Sequence, residues 1–125
     1  MNRSLGPWML AIVVALGLPV LLAWYDVPRQ LGAHPWWTMR TAIIGAPIGL
    51  GLGVILLLAP RIWGTLVSVV ATGGAFAVAL YGGQQFAASF AEDAFAGKLW
   101  YFGWIGVAAG LSALAFALLA PRTRE

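Results

Sequence analysis

Apolar residues fill four stretches of this chain almost without interruption. Every charged residue falls beside or between them: Arg3, Asp26, Arg29, Arg40, Arg61, Glu92, Asp93, Lys98, Arg122, Arg124 and Glu125. The stretches run from Pro7 to Tyr25, Thr41 to Ala59, Ile62 to Gly82 and Leu99 to Ala120. Each is close to the ~20 residues that a helix rising about 1.5 Å per residue needs to cross roughly 30 Å of hydrocarbon. Unbroken apolar runs lack the in-out alternation of barrel strands, and an open sheet would leave backbone polar groups unpaired in lipid. The pattern predicts an all-α integral membrane protein: four transmembrane helices in an antiparallel bundle, with residues 1–125 forming one domain.

The first stretch ends at Leu22-Ala23-Trp24-Tyr25-Asp26 with no small-x-small cleavage site, so it reads as a retained anchor and not a secretory signal. Pro7 suits a helix start, whereas Pro19 and Pro47 lie inside spans and are expected to bend them. The turn Pro60-Arg61 is so short that the second and third spans are expected to form a hairpin of antiparallel neighbours. Aromatic rings mark the span ends, as amphipathic rings do at headgroup level, and Trp24, Trp36, Trp37, Trp100 and Trp104 are the expected interfacial anchors. In the loop from Gly82 to Lys98, Phe86 and Phe90 are four apart and Gly97 resembles a C-cap. A short interfacial helix is expected there, offering Phe86 and Phe90 for membrane anchoring or docking.

With 62% hydrophobic and 9% charged residues, the chain carries more apolar surface than a soluble domain of its length can hide. Basic residues split as Arg3, Arg61, Arg122 and Arg124 on the side of the termini against Arg29, Arg40 and Lys98 on the other, which favours cytoplasmic termini by a narrow margin. That margin also leaves room for a chain that inserts both ways up. The net charge of +3 arises from such juxtamembrane residues and is no nucleic-acid signature. The terminal arginines are expected to meet anionic headgroups. Six arginines to one lysine, with abundant alanine and glycine, point to a GC-rich bacterial genome and hence to the cytoplasmic membrane of a bacterium.

Little catalytic chemistry is on offer. The chain has no cysteine and one histidine, which excludes disulfides, thiolate chemistry and bis-histidine haem ligation within one copy. No ionisable residue falls inside a span, so proton-coupled transport is disfavoured. Small multidrug transporters, which also have four spans, need a membrane-embedded glutamate in the first, and none occurs between Pro7 and Tyr25. The hydroxyls of Thr65, Ser68, Thr72 and Ser112 can bond to their own helix. His34, in Ala33-His34-Pro35-Trp36-Trp37, reads either as a solvated residue in a loop held down by tryptophans or as a cap contacting a quinone or headgroup. Glu92 and Asp93 are adjacent and therefore diverge on a helix, which makes a metal site improbable.

The strongest pattern is a row of small residues. Gly45, Gly49 and Gly53 share one face of the second span, and Gly106 and Gly110 one face of the fourth. Such faces let backbones approach closely, either within one bundle or against a partner. The reading that follows is a non-catalytic accessory or stabilising subunit of a larger membrane complex. It needs no cofactor or metal, and its partners are membrane lipid, other membrane subunits or itself. The rival is a small homo-oligomeric transporter or flippase for a hydrophobic or lipid-linked substrate.

Overall fold

The computed structural model describes residues 5–122. The expectations for Arg3, Arg124 and Glu125 lie outside the described residues. The described chain is helical without strands: α1 (Leu5–Trp24), one-turn α2 (Val27–Gln30), α3 (Thr38–Ile55) continued by a 3-10 turn (Leu56–Leu58), α4 (Arg61–Ala88) and α5 (Ala94–Leu119). Four of these are long and apolar enough to cross a bilayer, the mark of a multi-pass membrane protein.

The helices outrun the charge-free stretches. Arg40 lies in the first turn of α3 and Lys98 in the second turn of α5, and both are exposed. Long basic side chains can run their stems along apolar surface and keep their charge in water, so a charge need not end a helix. With 28 residues, α4 is about 42 Å long at about 1.5 Å per residue, longer than the hydrocarbon layer is thick. α1 and α3 continue without a break through Pro19 and Pro47.

The interfacial helix expected in residues 82–98 is not a separate element. α4 continues to Ala88, and α5 begins at Ala94. Gly82 and Gly83 remain helical because α5 lies against them: a Cβ on Gly82 would stand 2.5 Å from the Trp100 nitrogen, and one on Gly83 2.9 Å from the Trp100 indole nitrogen. Gly97 is inside α5 against the Phe86 ring and is no C-cap. The turn is built at Ser89, whose Oγ accepts from the Glu92 and Asp93 N–H groups at 3.2 and 2.9 Å. Asp93 then caps α5 by accepting from the Ala96 N–H at 3.0 Å.

The hairpin of α3 and α4 also fails. The two helices scarcely touch along their length, and each packs on α5 instead. A short turn holds only the helix ends together. Side-chain faces decide the rest, and the small-residue faces of both α3 and α4 turn to α5. Along α3, Gly45 meets Ile105 and Ala108, Gly49 meets Ala109 and Ser112, and Gly53 meets Phe116, so the two registers rise together. Along α4, Thr72 meets Gly110, Ala75 meets Gly106 and Ala79 meets Gly103, so those registers run oppositely. α1 adds Ala11, Ala15, Pro19 and Ala23, a buried row at four-residue spacing. The apolar window of α5 is 67% buried against 17% for α1 and for α4, which makes α5 the axis of the molecule.

Candidate functional site

Because α3 and α4 both lean on α5 without closing on each other, a lateral groove remains between them, with a volume of ≈ 400 Å³. Leu52 of α3 and Leu56 of the 3-10 turn form one wall, Ser68 and Ala71 of α4 the other, and Ala109 and Ala113 of α5 the floor. Its walls offer almost no polar surface. The Ser68 hydroxyl donates to the Gly64 carbonyl at 2.8 Å and that of Thr72 to the Ser68 carbonyl at 2.7 Å, which satisfies both within α4. The volume is that of small-ligand sites, about 300 to 1,000 Å³.

Two arginines stand beyond the groove lining, at the end of the bundle that carries the α3–α4 turn. Arg61 donates through Nη1 to the carbonyls of Ala117 and Leu118 at 2.9 and 2.8 Å, and through Nη2 to that of Ala120 at 3.0 Å. It thus caps the last turn of α5, where carbonyls lack intrahelical donors and a cation is favoured. Arg122 does the same for the end of α3, its Nη1 donating to the carbonyls of Leu57 and Ala59. The other edge of Arg122, Nε and Nη2, is buried and has no acceptor among the described residues. A Cβ on Gly64, one turn before Ser68, would lie 3.6 Å from that Nη2 and 3.5 Å from the Leu56 Cβ; Leu56 and Ser68 line the groove, and Arg122 itself does not.

The opposite end of the bundle carries a cluster of rings. The Trp100 indole N–H donates to the Gly32 carbonyl at 2.9 Å, pinning the first loop onto α5. His34 stacks on Trp37 at 4.8 Å between ring centroids, and its Nδ1 accepts from the Trp36 N–H at 3.1 Å. Trp37 stands edge-on to Trp100 at 4.9 Å and to Tyr101 at 5.0 Å. Of the anticipated anchors, Trp24 and Trp36 are exposed, and Trp37 and Trp100 are half-buried in this cluster. Trp104 is no surface anchor: it is 3% exposed and edge-on to Phe76 at 5.7 Å. One turn beyond Trp100, it follows the inward face of α5.

The five glycines singled out in the sequence are taken up by contacts within the chain. Gly45, Gly49, Gly53 and Gly110 are buried between helices, and Gly106 is half-buried at the groove floor. The pair Phe86 and Phe90 is split. Phe86 packs against Gly97 and lies 5.7 Å from the Trp100 ring, whereas Phe90 is 90% exposed with φ 57°. Among the described residues no three His, Asp or Glu side chains gather as a metal site would require.

No known family, characterised protein or solved structure matches the chain. Its chemistry therefore has to be read from the groove, the two arginines and the exposed helix faces. The helix-capping arginines were not foreseen, although a basic residue just beyond an apolar run is the available signal. The bond from the Ser112 hydroxyl to the Ala46 carbonyl of α3, at 2.8 Å, was not foreseen either.

Proposed function

We propose that this protein is a non-catalytic accessory or stabilising subunit of a larger complex in a bacterial cytoplasmic membrane. In this reading its four spans form an antiparallel bundle with cytoplasmic termini, and it acts by lateral association. The observation that carries the proposal is the placement of α4, which packs along its length on only one long helix, α5, and leaves its outer face bare. On that face the adjacent Gly73 and Gly74 have nothing within 4 Å of where a Cβ would sit. Glycine weakens a helix and offers lipid tails little contact, so two in succession on an outward face gain their use when another helix backbone comes close. The buried glycine rows are already occupied, which moves the docking face from Gly45, Gly49 and Gly53 to α4.

Purification from the native membrane in mild detergent tests this. Other polypeptides are expected in constant ratio, and Gly73→Leu together with Gly74→Leu should release them while the chain itself stays folded. Recovery of the chain alone at its own mass counts against the proposal. The second reading, a homo-oligomeric carrier of a hydrophobic or lipid-linked substrate, draws its support from the open groove. It predicts a small multiple of the chain's mass, and reporter signal from both sides of the membrane if the copies insert in opposite senses.

A further inference from the structure

We propose that the groove between α3 and α4 is a site for one anionic phospholipid, an acyl chain lying over Ala109 and Ala113 and the headgroup phosphate held by Arg122. Three observations converge. The groove opens sideways from the bundle, and its lining is apolar, the surroundings an acyl chain prefers. Its end is cationic: Arg61 and Arg122 both lie there, while the described acids Asp26, Glu92 and Asp93 all belong to the opposite end. Arg122 has donors to give: Nη1 is committed to carbonyls, whereas among the described residues Nε and Nη2 are buried without an acceptor and Arg122 makes no ion pair.

A guanidinium edge left unpaired in this way is costly, and a phosphate oxygen accepting from adjacent Nε and Nη2 is the bidentate arrangement arginine is shaped for. Leu56, which lines the groove, and the Arg122 Nη2 both lie against Gly64; in this proposal the Leu56 side chain turns to let the phosphate reach that edge. A zwitterionic headgroup offers the same phosphate but adds a cation that two neighbouring arginines repel, so the pair favours a headgroup of net negative charge. The proposal uses the inner side of α4 and does not depend on a protein partner at Gly73 and Gly74.

The test places the purified chain in nanodiscs containing a photoreactive diazirine on the acyl chain of either phosphatidylglycerol or phosphatidylcholine, with crosslinks mapped by mass spectrometry. The phosphatidylglycerol probe is expected to label peptides containing Ala109 and Ala113 about fivefold more strongly, the selectivity of about 1 kcal/mol per juxtamembrane arginine. Arg122→Gln should bring the two probes to parity. Ala71→Phe, at an exposed position of the α4 wall, should block the groove and abolish labelling, and it decides the matter if the arginine variant does not fold. Equal labelling by both probes, or labelling that survives Ala71→Phe, overturns the proposal. So does competition by inorganic phosphate, which would leave an anion site without a lipid. Crosslinks from the groove to a second copy of the chain would assign it to a dimer interface and overturn it as well.

Discussion

The Ser112 hydroxyl of α5 donates to the Ala46 carbonyl of α3 at 2.8 Å, and Ser112 is fully buried. A side chain this short spans two helices because Gly49 sits opposite: a Cβ there would lie 2.6 Å from that of Ser112. Ser112→Ala is expected to lower stability by about 0.6 to 1.7 kcal/mol, the range for interhelical hydrogen bonds in membranes. Unfolding in mixed micelles measures it. Ser112→Val, which adds bulk where the backbones nearly touch, should cost more than Ser112→Ala.

Gly49 and Gly51 make a matched pair on one helix. A Cβ on Gly49 would overlap the Ala109 carbonyl, a backbone group that cannot swing aside, whereas Gly51 has nothing within 4 Å. Gly49→Ala should destabilise by about 1 to 3 kcal/mol, as overpacking does. Gly51→Ala should be neutral or stabilising by up to about 1 kcal/mol, because alanine is the better helix former. Equal melting temperatures for the two variants would refute the α3–α5 packing.

Phe90 and Ala91 end α4 in the manner usually reserved for glycine. The Ala91 N–H reaches back to the Phe86 carbonyl at 2.9 Å and that of Phe90 to the Ala87 carbonyl at 3.0 Å, with Phe90 in the left-handed region. A side chain in that conformation costs about 1 to 2 kcal/mol. Phe90→Gly should therefore raise the thermal stability of the detergent-solubilised chain. If the exposed ring serves as a membrane or partner contact, the same variant will bind liposomes or copurifying subunits less well.

Trp100→Phe keeps a ring beside His34, Trp37 and Phe86 but removes the donor to the Gly32 carbonyl. A loss of about 1 kcal/mol is expected, together with faster hydrogen exchange in residues 31–37. Trp36→Phe, at a position 86% exposed, should leave exchange there unchanged.

The four spans were legible because hydrocarbon imposes a length and forbids charge, and both constraints act on the sequence locally. Helix ends were less so: Arg40 and Lys98 sit on helices that continue past them, since an exposed basic side chain carries its charge to water. Neighbour choice was legible only in part. The glycine row of α3 announced a close approach but not its partner, and chain proximity pointed to α4 where the structure gives α5. Gly97 looked like a C-cap because its spacing alone does not reveal that Phe86 lies against it. The groove was invisible in the sequence, being a space left by two helices that share a third.

That sharing also sets an order of events during synthesis. α4 emerges from the ribosome before α5 and has no other long helix to lean on, so it must wait in the bilayer as a lone, glycine-bearing rod. The interval between insertion of its third and fourth spans is therefore where membrane proteases are expected to reach the chain most readily, and a ribosome stalled there is expected to leave an orphan for them to clear.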